Sequence, residues 1–157
     1  MLIALALALQ AVRLVLPLPQ PVSTFVIGSL VHMMLVLTWK LSGLGIALLL
    51  ALLLPLTAYL QGQVLLPLLI PVIWAGNVLF VVLLQLFSAN HRLALFLPPL
   101  AKAVLMGVAA WCVVNIVALP NPALRKTIMF VMSVPQLVTA FIGIWLARQV
   151  FLRIRKF

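Results

Sequence analysis

Residues 43–60 read GLGIALLLALLLPLTAYL, a stretch with no charged side chain and no alternation of polar and apolar positions. A strand of this composition would leave its backbone N–H and C=O groups unpaired in lipid, whereas a helix satisfies them within the segment. As a helix it extends ~27 Å at 1.5 Å per residue, close to the ~30 Å of a bilayer's hydrocarbon core. Working outward, five more runs of this kind are separated by breaks rich in Pro, Gly and polar residues. The six segments are Met1 to Leu16, Val22 to Trp39, Gly43 to Leu60, Leu68 to Phe87, Leu93 to Leu119 and Thr127 to Phe151. With 68% hydrophobic and 6% charged residues, no soluble domain fits in the remainder. The chain reads as an all-α membrane protein, one domain over residues 1–157 with six transmembrane helices. The first run lacks a basic leader and a small-x-small cleavage site, so it is expected as a retained, short helix rather than a signal peptide.

The charges are one-sided: ten Lys and Arg, and no Asp or Glu. Without a carboxylate there is no paired general acid and base, no Mg²⁺ or Ca²⁺ cage, no Asp-supported triad and no carboxylate proton relay. The chain is therefore expected to bind or position something rather than transform it. The only cysteine, Cys112, has no His or cation close in sequence and reads as a buried apolar side chain. His32 and His91 have no plausible co-ligands nearby, so no metal or other cofactor is expected. Lipid headgroups account for the formal charge of +10 more simply than nucleic acid does, because the basic residues lie between apolar runs and at the C-terminus. Lys40, Arg92, Arg148, Arg153, Arg155 and Lys156 fall on one side of a six-span topology, and chiefly Arg125 and Lys126 on the other; Arg13 counts against the pattern. The positive-inside rule then places both termini in the cytoplasm. Three proline-containing connections, Pro17 to Pro21, Gln61 to Pro67 and Pro120 to Lys126, face the exterior as stiff loops, either covering a pocket or simply ending helices.

Small residues mark close helix contacts. Gly43, Ala47 and Ala51, followed by Pro55, recur every four residues on the third segment, and Ala4 and Ala8 do so on the first; such faces serve packing within the protein or docking to another membrane protein. Polar residues at membrane depth are few: Asn77, Lys102, Trp111, Asn115, Gln136 and Thr139. Asn77 and Gln136 lie ~15 Å from the outer helix ends and Lys102 rises to a similar level from the inner side. Trp111, Asn115 and Trp74 are expected to line the space above them. With no acid in the chain, Lys102 must neutralise, snorkel, bond helix-end carbonyls or meet an anion from another molecule. Asn77 and Gln136 also suit plain interhelical hydrogen bonds. Trp39 and Lys40 fit an interfacial anchor.

The order of these motifs resembles the substrate-binding S component of energy-coupling factor (ECF) transporters, the bacterial vitamin uptake systems. The resemblance runs through the Ala4-to-Ala8 face, Gly28-Ser29-Leu30-Val31, the ladder from Gly43 to Pro55 leading into Ala58-Tyr59, and Pro67 to Pro71 running into Gly76-Asn77. It continues through Leu100-Ala101-Lys102-Ala103 and Pro135-Gln136-Leu137-Val138-Thr139-Ala140. Two features depart from the pattern: His32 stands where a small polar residue is expected, and Thr38, Trp39 and Lys40 replace a small apolar stretch. The resemblance implies a six-helix protein of the bacterial cytoplasmic membrane that captures a vitamin-like molecule from outside, in a pocket between the outer halves of helices four to six. It also implies a coupling transmembrane protein, contacted through Ala4 and Ala8, and a pair of cytoplasmic ATPases. The chain itself has no phosphate-binding G-x-x-x-x-G-K-[ST] loop.

The substrate-binding set expected on these grounds is Trp74, Asn77, Lys102, Trp111, Asn115, Gln136 and Thr139. Lacking carboxylates, such a site favours a neutral or anionic heterocycle or amide over a cation. Rival readings are an ion-coupled secondary carrier, weakened by the missing intramembrane acids, and a membrane scaffold without a pocket.

Overall fold

In the computed structural model, which describes residues 1–15, 19–64, 66–117 and 120–154, the chain is a bundle of seven helices with no strand among the described residues. They are α1 (Leu2–Val15), α2 (Gln20–Ser42), α3 (Leu44–Leu60), α4 (Leu69–Leu86), α5 (His91–Ile116), α6 (Pro122–Val131) and α7 (Val134–Ile154). Four stretches are long and apolar enough to cross a membrane: Val22–Ser42, Leu69–Leu86, Arg92–Ile116 and Pro122–Ile154, the last combining α6 and α7. The apolar helices α1 and α3 are shorter.

The five earlier segments each form one helix, but the sixth divides in two at Met132 and Ser133. Pro135 causes the division. It has no N–H to donate to the carbonyl of Val131 four residues back, and the Gln136 side-chain amide donates to that carbonyl instead, at 3.4 Å. The Ser133 hydroxyl donates to Met129 O at 2.7 Å and covers a second carbonyl at the break.

The connection expected at Pro120 to Lys126 is mostly helix. Asn121 caps α6 by accepting from the N–H groups of Ala123 and Leu124, and Pro122 supplies a preset φ at the first helical position. Arg125 and Lys126 therefore project from a helix rather than a loop. Asn90 caps α5 in the same way. Of the Pro17 to Pro21 connection, Pro19 flanks α2 and helix begins at Gln20, while residues 16–18 lie outside the described residues, as do Leu65 of the second connection and the basic pair Arg155 and Lys156.

α2 is the central helix, packed most extensively on α7 and also against α1, α3 and α4; α5 closes the bundle against α4 and α7. Glycines set the closest approaches. A Cβ on Gly143 of α7 would collide with His32 Cβ and lie 2.8 Å from Met33 N, and one on Gly28 of α2 would lie 3.0 Å from Thr139 Cγ2. Between α4 and α5, a Cβ on Gly76 would lie 2.6 Å from Met106 Cγ. The ladder on α3 also packs inward, since Ala47, Ala51 and Pro55 are buried. One apolar cluster, with Met34, Leu35, Leu50, Phe80 and Ala147, fills the end bearing the α2–α3 connection. A second, with Val64, Leu69, Met106, Val114 and Ile128, fills part of the opposite end.

These contacts predict that Gly143→Ala lowers the melting temperature of the detergent-purified protein, because the rigid backbone of α2 cannot yield; overpacking of this kind costs about 1–3 kcal/mol. Gly45→Ala, at a helical glycine with open space around it, should leave it unchanged or raise it slightly. Equal melting of the two variants would contradict the packing described.

Candidate functional site

A cavity of about 530 Å³ lies beside the second cluster and opens at the end of the bundle that carries the α1–α2, α3–α4 and α5–α6 connections. This is within the ~300–1,000 Å³ of small-molecule sites. Its walls come from the C-terminal parts of α1 and α3, the N-terminal halves of α2, α4 and α7, and α6. Phe25, Ile73, Ile128 and Val131 give it apolar sides, and Gln10, Arg13, Gln63, Gln136 and Thr139 give it polar ones.

Its floor is a buried polar cluster. Lys102 of α5 is 1% exposed, and its Nζ donates to Asn77 Oδ1 of α4 at 2.6 Å and lies 2.6 Å from His32 Nε2 of α2. His32 Nδ1 lies 2.7 Å from the Gly28 carbonyl. A carbonyl only accepts, so Nδ1 carries the proton and Nε2 is left to accept from Lys102. Two cations at that distance would repel strongly in a low dielectric, so the Lys102–His32 pair carries at most one positive charge. Phe80 closes the cluster from below: its ring meets the His32 ring edge-on at 5.4 Å, and Lys102 Nζ stands 5.7 Å from its centroid.

Asn77 does a second job. Pro55 leaves the Ala51 carbonyl of α3 without its helical donor, and Asn77 Nδ2 reaches that carbonyl over a long 3.5 Å. The carbonyl thereby fixes which way the amide points, with Oδ1 toward Lys102. At the cavity's edge Gln10 Nε2 donates to Leu54 O at 3.1 Å and Gln10 Oε1 accepts from Thr57 Oγ1 at 3.1 Å, tying α1 to α3. Arg13, one turn further along α1, also lines the cavity, and its Nε is buried with no hydrogen-bond partner among the described residues.

Of the residues expected from sequence, Asn77, Lys102, Gln136 and Thr139 line this one cavity. Trp74, Trp111 and Asn115 do not. Leu69, Ile73 and Asn77 form the α4 stripe facing the cavity, and Trp74 stands ~100° from Ile73 around the helix, 42% exposed on the bundle surface. On α5 the buried stripe is Lys102, Met106, Ala110 and Val114. Trp111 and Asn115 each follow a member of it by one residue, again ~100° away, and both are exposed. Asn115 holds α5 to α6 instead, accepting from Arg125 Nη2 at 2.9 Å. Cys112, expected to be buried, shares that outward face.

Sequence reasoning missed His32, Arg13 and Gln10 as cavity residues. His32 follows Gly28 by one turn and so shares its face, and Gln10 and Arg13 are spaced to share one on α1. Ala4 and Ala8 are exposed on α1. Trp39 Nε1 donates to Gln85 Oε1 at 2.7 Å, and Lys40 Nζ lies 4.8 Å above the Phe151 ring, both at the end away from the cavity.

No protein-family model, curated protein or solved structure matches the chain. Among the described residues, fold and site define it by class, as an all-helical protein with several helices long and apolar enough to cross a membrane and a cavity floored by the buried Lys102.

The cluster predicts an asymmetry. Asn77→Leu strands a buried charge without one of its two acceptors and should cost about 3 kcal/mol or more, whereas Lys102→Met removes the charge, leaves only the neutral acceptors Asn77 Oδ1 and His32 Nε2 unmet, and should cost less. Thermal unfolding in mild detergent measures both; a Lys102→Met variant less stable than Asn77→Leu would contradict the reading.

Proposed function

We propose that this chain is the substrate-capture subunit of an ECF-type ABC importer in a bacterial cytoplasmic membrane, taking up a vitamin or related micronutrient. The observation that carries the reading is the cavity: vitamin-sized, lined by residues toward one end of an apolar bundle, and bearing polar side chains at its floor and sides. Its opening lies at the end that the distribution of basic residues assigns to the exterior. In this reading all six apolar segments cross the membrane and both termini are cytoplasmic. The short α1 extends only ~21 Å, and Arg13 near its outer end reaches the cavity instead of the headgroups.

Capture needs no catalysis by this chain, and energy comes from partners: a coupling transmembrane protein and a pair of cytoplasmic ATPases. Ala4 and Ala8 suit the coupling contact, since both face outward while neighbouring Ala6 and Gln10 are buried. A smooth outward face lets another helix approach closely.

Thermal-shift screening of the purified protein against B vitamins and their precursors tests this. Saturation at a hundredfold over Kd stabilises a binder by ~2.7 kcal/mol. A selective shift should appear, survive Asn115→Ala, which lies outside the cavity, and vanish in Ala58→Trp, where the indole fills it. Ala8→Leu should keep the shift but lose uptake in cells that express the whole importer. A folded sample that no compound shifts would point instead to a membrane scaffold.

A further inference from the structure

We propose that the cavity binds a small organic carboxylate, with the carboxylate seated on Lys102 at the floor and a second hydrogen-bond acceptor of the same molecule against Arg13. This rests on the capture reading and narrows it from a neutral or anionic substrate to an acid.

Three observations carry the assignment. An ammonium has three donors, and Lys102 has two partners among the described residues, Asn77 Oδ1 and His32 Nε2; the third N–H is left for an occupant of the cavity that Lys102 lines. No side chain can neutralise it, because the protein contains no Asp or Glu. The second cation in the same cavity, Arg13, also keeps a buried donor, Nε, without a partner among the described residues. Both donors are available to an occupant of the cavity, and an anionic oxygen meets them with charge-assisted bonds.

The floor also selects among anions. The Lys102–His32 pair carries at most one positive charge, and the Asn77 amide and the Phe80 ring beside it are neutral. One charge balances a carboxylate, whereas a phosphate dianion would leave a negative charge uncompensated against an aromatic ring. The apolar walls between floor and mouth, with Phe25, Ile73 and Ile128, fit an apolar or ring-bearing body joining the two polar ends.

Paired probes test this directly: nicotinate with nicotinamide, biotin with biotin methyl ester, and pantothenate with pantothenol, each titrated against the wild-type protein, Lys102→Met, Lys102→Gln and Arg13→Gln. At least one acid should bind wild type, about tenfold or more tighter than its neutral partner. Both Lys102 variants should erase that preference, and Arg13→Gln should weaken the acid while keeping it. The two Lys102 variants guard against one failing to fold, and the wild-type comparison needs neither. Equal binding of acid and neutral partner, or a preference that survives both Lys102 variants and disappears with Arg13→Gln, would overturn the assignment and leave capture standing. A folded protein that binds none of these probes would overturn this inference, and capture would fall with it only if the full screen of B vitamins and precursors also gave no shift.

Discussion

A lysine ammonium inside an apolar bundle, in a chain that offers it no carboxylate, is the constraint on which the rest of the structure depends. An isolated charge at such depth costs several kcal/mol. Lys102 meets that cost with neutral acceptors from two other helices, Asn77 and His32. The arrangement requires α2, α4 and α5 to converge within the reach of one side chain. Gly76, against Met106 and Lys102, and Gly143, against His32, lie at the helix contacts beside the cluster. The glycines, the histidine and the asparagine are thus parts of one solution rather than separate sequence features.

Two prolines add to the same architecture. Pro55 and Pro135 each deprive a carbonyl of its helical donor, and in both places a side-chain amide supplies one: Asn77 to Ala51 O and Gln136 to Val131 O. In lipid such a carbonyl finds no water, so a neighbouring donor must replace it. Both amides then border the cavity, and the break between α6 and α7 turns an otherwise straight span into part of the cavity wall. The polar groups that repair the helices are the ones available to a bound molecule.

How much of this could be read in the sequence follows from which interactions are local. Continuous apolar runs declare helices, and counting residues from the helix ends brings Asn77, Lys102 and Gln136 to one depth. Depth is not direction, however. Trp111 and Asn115 lie at a plausible height but ~100° off the buried stripe of α5, and only the packing of α5 against α4 reveals which stripe faces inward. The start of α6 is legible in principle, since Asn121-Pro122 is a cap followed by a favoured first position, but the same prolines read equally as a stiff loop. His32 stands out in the sequence only as a departure from the resemblance, because its role depends on Lys102, 70 residues away. Arg13 reads in the sequence only as a charge on the wrong side of the topology, whereas its place beside the cavity is a tertiary fact.

The central claim is that the space above Lys102 opens to the outside of the cell and to nowhere else. Site-directed thiol labelling in intact cells tests it most directly. In a Cys112→Ser background, which removes the exposed native thiol, a cysteine placed at Gln136 reports from the cavity wall and one placed at Arg148 from the opposite end. A membrane-impermeant maleimide added outside should modify Gln136→Cys and leave Arg148→Cys untouched until the cells are opened. Labelling of Arg148→Cys from outside, or of Gln136→Cys only after lysis, would contradict the account.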